Sequence, residues 1–175
     1  MSLIPQAKKG KKFGGKATDL IDIAEENGCA SILLLEAPTE DEVYLNFSGT
    51  LEGPSILFEV ETIHTIEEVT PIGVCGEGRY LVFIDPKLDQ YPPLKLTKEL
   101  IIKAFSGRTG QPCGALTFTL ANGRILMRRY QILWEETPKI FEAGPRFCLR
   151  PISILSGAFC GTELWRNPKF VPRSK

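Results

Sequence analysis

The 175-residue chain has a single histidine, His64, and its five cysteines (Cys29, Cys75, Cys113, Cys148 and Cys160) form no C-x-x-C pair. Cys148 and Cys160 stand 12 residues apart with no histidine or second pair near them, so the spacing describes no zinc site. An odd count of widely spaced thiols fits a reducing compartment rather than a disulfide framework. No run approaches the roughly 18 apolar residues of a membrane helix, and the N-terminus lacks the apolar core of a secretory signal. The expectation is a chain without a membrane partner or classical export signal. "GVCGEGR" (Gly73, Gly76, Gly78) lacks the Lys-Ser/Thr of a phosphate-binding loop and reads as a turn. His64, followed by Thr65, admits a Cys-His nucleophilic pair in principle. At a strand-to-helix turn it reads as a cap or packing residue. The sequence therefore describes no catalytic residue, no metal ligand set and no cofactor.

Positive charge is also missing where it is most informative. Residues 17 to 78 contain 14 acids and not one Lys or Arg. Residues 1 to 16 carry five lysines and no acid, and residues 79 to 175 carry 16 bases against seven acids. The formal net charge of zero thus conceals segregation. Charge blocks of opposite sign suit different partners, and the basic ones suit phosphate backbones; the plainer reading of any one block is a solvated face.

With 43% hydrophobic residues, the chain can bury a core as one domain or as two packed halves. The pattern alternates α and β. Ala17 to Asn27 has helical spacing at Leu20, Ile21 and Ala24, with Gly28 as its C-cap. "CASILLLEA" reads as a buried strand, and "EVYLNFS" and "GPSILFEVETI" alternate apolar residues as successive strands. "HTIEEV" is a helical turn, "RYLVFID" a strand closed by Asp85-Pro86, and Leu94 to Phe105 a helix before the loop "SGRTGQPCG". "ALTFTL-ANG-RILMRRYQILW" predicts a hairpin turning at Asn122-Gly123. In "EAGPRFCLRPISI", Gly144-Pro145 predicts a turn before a strand with Arg146 and Arg150 on the face opposite Phe147 and Leu149.

That last segment echoes an earlier one. Gly53-Pro54-Ser55 and Gly144-Pro145-Arg146 stand 91 residues apart, and an ungapped alignment sets Glu59 against Arg150. Such an echo marks either a duplicated unit or a chance match of two Gly-Pro steps.

"GPSILFEVETIHTIEEV", "FIDPKLDQYPPLKLTKELIIKAFS", "RILMRRYQI" and "EAGPRFCLRPISILSGAFCGTELWRNPKF" together resemble the Brix-domain family, from about Leu3-Ile4-Pro5 to the end. The Gly-Pro-Arg step, Ser156-Gly157, Gly161 and Asn167-Pro168 form the specific combination. The resemblance implies an α/β (α+β) fold of two similar halves related to anticodon-binding domains. With a basic flexible arm at 1–16, the halves are expected at about 17–90 and 91–175. It further implies a nuclear, nucleolar, non-enzymatic factor for assembly of the large (60S) ribosomal subunit. Its partners are then pre-ribosomal RNA, other assembly factors and large-subunit ribosomal proteins. Family domains normally open with a strand and a helix that are absent before "LIPQAKKG", so either the chain is a fragment or a partner supplies the missing helix or strand. The basic C-terminal tail common in relatives is absent too.

Lys8, Lys9, Lys11, Lys12, Lys16, Arg128, Arg129, Arg146, Arg150, Arg166 and Lys169 are the expected RNA-binding residues, making phosphate contacts without sequence readout. Arg146 has a competing structural role, pairing with a carboxylate such as Glu142. Tyr130, Trp134 and Trp165 are placed to stack on unpaired bases; core packing is the preferred reading of Trp134, and Trp165 stays open. Divergence of the echo assigns the Arg146 and Arg150 strand to RNA and the Glu59 and Glu61 strand to a protein. A protein-only scaffold and an RNA-modifying enzyme are the alternatives. If the lysine arm orders on RNA, deleting residues 1–16 weakens RNA binding most at low salt. Equal affinity with and without the arm at every salt concentration contradicts this.

Overall fold

The computed structural model describes residues 14–49, 52–69, 79–105 and 110–171. Its elements are α1 (Asp19–Glu26), β1 (Ser31–Glu36), β2 (Tyr44–Gly49), β3 (Ser55–His64), α2 (Ile66–Val69), β4 (Arg79–Ile84), a 3-10 turn (Pro86–Gln90), α3 (Pro92–Phe105), β5 (Pro112–Ala121), β6 (Arg124–Leu133), β7 (Lys139–Leu155) and β8 (Glu163–Arg166). The fold is mixed α/β. Two compact units divide the chain: Met1–Gly15 with Glu61–Leu149, and Lys16–Val60 with Arg150–Lys175. Strands β3 and β7 each pass from one unit to the other.

In the first unit the strands run in the order β3-β7-β6-β5-β4. The parallel β4–β5 pair is joined through α3, as a parallel connection requires. Prolines 92 and 93 occupy the first turn of α3, where a missing N–H costs nothing. Apolar residues at helical spacing then bury Leu100, Ile101 and Phe105. The Phe105 ring packs 5.5 Å from that of Phe118 on β5, and Leu116, Ile125 and Met127 point the same way. The predicted hairpin forms, with Asn122 (φ 51°) and Gly123 (φ 75°) both left-handed as a two-residue turn demands. The expected loop before it is shorter than its sequence suggests, since Pro112 to Gly114 already belong to β5.

In the second unit the order is β1-β2-β3-β7, with β8 added to β7. Alternation places Leu45 and Phe47 of β2 and Ile56 and Phe58 of β3 in the core. Each such buried side chain contributes about 1.5–3 kcal/mol of transfer free energy. The residues around Gly157 explain the glycine-rich run. Ser55 donates its Oγ hydrogen to the Gly157 carbonyl (2.7 Å) and accepts from Phe159 N–H (3.0 Å). Asn167 ties the end of β8 back to β7, its Nδ2 donating to the Pro151 carbonyl and its N–H to that of Ile152, both at 2.8 Å.

Both Gly-Pro peptide bonds, Gly53-Pro54 and Gly144-Pro145, are cis, and both glycines have positive φ. Gly144-Pro145 does not precede a strand as a turn. It lies within the 17 residues of β7. The same local chemistry that makes a turn here makes a kink inside one long strand. Gly53 has a stricter requirement: φ is 81°, and an added Cβ falls 2.4 Å from the Gly157 carbonyl carbon. Gly53→Ala is expected to destabilise the chain by about 2 kcal/mol or more, through strain and backbone collision together. A chemical-denaturation midpoint equal to wild type contradicts that packing.

Candidate nucleic-acid interface

The β6–β7 register locates the kink and what it does. Met127 faces Phe147 and Arg128 faces Arg146, but Tyr130 faces Glu142. Arg129 alone therefore opposes Ala143, Gly144 and Pro145, and the extra residues bulge out. Gly144 (φ 56°) is held under α2, where an added Cβ comes within 3.1 Å of Val69 Cβ and 3.2 Å of Ile66 Cα. Arg129 closes the bulge from inside. It is 3% exposed, donates from Nη1 to the Gly144 carbonyl (3.1 Å), and from Nε and Nη2 to the Tyr80 hydroxyl (3.2 and 2.7 Å). Its guanidinium also lies over the Tyr80 ring, 5.3 Å from the centroid. A buried cation needs such partners to offset lost hydration. Arg129 therefore does not join Arg128 on an outer surface as expected, because successive strand residues point to opposite faces.

The outer face gains a different cluster from the same bulge. Four residues of regular strand span about 13 Å, too far for Glu142 to reach Arg146 comfortably. With two extra residues taken up in the bulge, Arg146 grips Glu142 through both ends of its fork, Nε to Oε1 at 2.5 Å and Nη2 to Oε2 at 2.8 Å. Arg128 adds Nη1 to Oε1 at 3.2 Å. The hydrogen bonds from Arg146, with the charges of Arg146 and Arg128, hold the Glu142 carboxyl below its ordinary range against an opposing desolvation effect. Two guanidinia thus share one carboxylate, keep a net positive charge, and stay 40% exposed.

The acidic and basic strands meet rather than part. In the second unit Arg150 pairs with Glu59 at 2.7 Å, the Glu59 side chain being 7% exposed, and the guanidinium lies 5.0 Å from the Phe170 centroid. In the first unit Arg124 pairs with Glu61, and the Cys148 thiol donates to the same carboxylate at 3.6 Å. Burial, then the Glu61 charge and hydrogen bond, push the Cys148 thiol up. A thiol so placed is a poor nucleophile at neutral pH. Glu59 and Glu61 thus do not present a separate acidic face: both are engaged by arginines.

The other expected residues are more scattered. Arg166 is exposed and forks onto Glu163 (2.9 and 2.5 Å). Lys169 and Lys16 are exposed. Lys8, Lys9, Lys11 and Lys12 lie outside the described residues, as do residues 73–78 of the "GVCGEGR" turn. Arg128 and Arg146 belong to the first unit, and Arg150, Arg166 and Lys169 to the second. Tyr130 and Trp165 are half-buried. Trp134 is not the core residue expected; it is 49% exposed just beyond β6, its Nε1 donating to the Pro112 carbonyl. Sequence reasoning passed over Phe83, which is 56% exposed on β4. The alternation of "RYLVFI" carries the signal, since Tyr80 points into the core and Phe83, three residues on, points out.

A protein-family model described as "Brix domain" matches residues 1–153. The chain is 34% identical over 177 residues to a human protein named ribosome biogenesis protein BRX1 homolog, covering 96% of this chain and 50% of that one. It is 36% identical over 163 residues to the Drosophila melanogaster protein of the same name, covering 88% and 45%. Ribosome biogenesis protein brx1 of Schizosaccharomyces pombe is 32% identical over 189 residues, covering 98% and 63%. The chain spans about half the length of the first curated relatives it matches. In three dimensions it is similar to the crystal structure of a probable ribosomal biogenesis protein from Aeropyrum pernix K1, with a TM-score of 0.54 at 14% identity, covering 84% of this chain and 82% of that one.

The Glu59–Arg150 pair yields a direct test of structural against ligand-binding roles. Arg150→Glu sets two carboxylates together in a largely buried place and is expected to cost about 3 kcal/mol or more. Adding Glu59→Arg restores opposite charges, so the double variant should recover much of the lost melting temperature. Equal melting of Arg150→Glu and wild type rules the pair out as a support of the fold.

Proposed function

The chain belongs to the Brix-domain family, and from that premise we propose that it is an assembly factor of the large ribosomal subunit. It acts in the nucleus and nucleolus, binds pre-ribosomal RNA, and docks other assembly factors and large-subunit ribosomal proteins without catalysing a reaction. The observation that carries this reading is the match of nearly the whole chain to proteins named as ribosome biogenesis proteins. The exposed arginines that share Glu142 support the RNA part, because phosphate contacts need partly solvated cations. The lysine-rich residues 1–16 add charge of the same sign.

Protein docking is assigned to the second unit. Its sequence carries six bases against 11 acids, whereas Glu61–Leu149 carries 11 bases against ten acids. The two Gly-Pro steps, alike in the positive φ of their glycines, support two duplicated halves related to anticodon-binding domains. A second reading is a protein-only scaffold in the same particle. It is favoured by the carboxylate partners that already occupy Arg146, Arg150 and Arg166.

Crosslinking the protein to RNA in cells and sequencing the attached fragments separates the two. Enrichment of large-subunit precursor RNA is expected. Recovery of assembly proteins with no RNA above a non-crosslinked control selects the scaffold.

A further inference from the structure

The registers of the first unit line up four residues from four strands. Phe83 of β4 faces Thr117 of β5, Thr117 faces Arg128 of β6, and Arg128 faces Arg146 of β7. Residues in register across neighbouring strands share a face of the sheet. This one is the outer face: the residues that precede and follow Thr117 and Arg128, namely Leu116, Phe118, Met127 and Arg129, are buried on the other side. At about 4.8 Å between strands, the row runs roughly 14 Å from an exposed aromatic ring to a pair of exposed guanidinia.

Such a row has the chemistry of unpaired nucleic acid. A base presents a flat apolar face that an exposed ring can stack on, and its neighbouring phosphates seek guanidinium groups. Phe83 has no apolar neighbour in its row, where Thr117 and the two arginines follow it. A docked protein helix needs a continuous apolar stripe, which this row lacks. The net positive charge of the Arg128–Glu142–Arg146 cluster selects an anionic occupant. Duplex RNA keeps its bases stacked within the helix, so it cannot use Phe83. We propose that the outer face of β4, β5, β6 and β7 is a platform for a single-stranded RNA segment, with Phe83 stacking one base and Arg128 and Arg146 holding adjacent phosphates. This rests on the RNA-binding reading above and adds to it which form of RNA is held, and where.

The test uses the whole chain, an oligouridine of about ten nucleotides, and an RNA duplex of the same length. Phe83→Ala removes an exposed side chain, and an unchanged thermal melt verifies that it folds. It is expected to weaken oligouridine binding about fivefold or more, with duplex binding unchanged and Phe83→Trp restoring the loss. Oligouridine carrying 5-iodouridine should crosslink to the peptide containing Phe83. Wild-type affinity of folded Phe83→Ala for oligouridine overturns the platform while leaving RNA binding intact. Equal losses on both probes overturn the single-strand preference. Absence of binding to either probe by the wild-type chain sinks the platform and the RNA reading together. Protection of β4 and β5 from hydrogen exchange by an assembly protein, but not by oligouridine, assigns the face to a protein instead.

Discussion

The guanidinium of Arg129 is the group on which the outer surface of the first unit depends. It is buried, so its five donors must find partners, and the Tyr80 hydroxyl and the Gly144 carbonyl take three of the bonds. The Gly144 carbonyl is available because the bulge removes it from the regular ladder. The bulge in turn has Arg129 as its inner tie. A single side chain on β6 thereby sets the length by which β7 is gathered. That length brings Glu142 beside Arg146 on the outside.

Charge follows a similar logic of position over composition. Along the chain, acids fill one long block and bases another. In the folded units the blocks meet at Glu59–Arg150 and Glu61–Arg124. The largely buried Glu59–Arg150 pair adds little net stability over an apolar substitute, but losing one partner leaves a stranded charge. Both pairs specify which strand faces which. At Glu142, by contrast, two guanidinia meet one carboxylate and leave a net positive charge, with an exposed ring in register with them.

Local features of the fold were legible wherever local chemistry has a single outcome. Asn122-Gly123 between alternating strands gives a hairpin, and Gly28 ends α1 through 2.9 and 2.8 Å bonds from Gly28 and Cys29 back into its last turn. The helical spacing after Pro93 gives α3. Gly144-Pro145 reads as a turn from the sequence and is instead a bulge inside β7; a turn and a bulge use the same residues, and only the partner strand distinguishes them. The adjacent placement of Arg128 and Arg129 contained its own answer, since period two sends one inward. Clustering by sequence obscured it. The pairs Glu59–Arg150 and Glu61–Arg124 join residues 91 and 63 positions apart, beyond the reach of any window. The alignment of the two Gly-Pro segments had nonetheless set Glu59 against Arg150, the residue it meets in space.

The dependence of the outer cluster on the inner guanidinium is open to direct measurement by NMR titration of the Glu142 carboxyl, in the wild-type chain and in a folded Arg129→Lys variant. Lysine keeps the charge but lacks the planar fork that joins Tyr80 to Gly144. In the wild type, Glu142 should titrate below the ordinary 4.5 of a glutamate. In the variant it should move back toward that value as β7 relaxes and Arg146 draws away. A Glu142 titration equally depressed in both proteins would contradict the account, because the bulge would then hold its shape without Arg129.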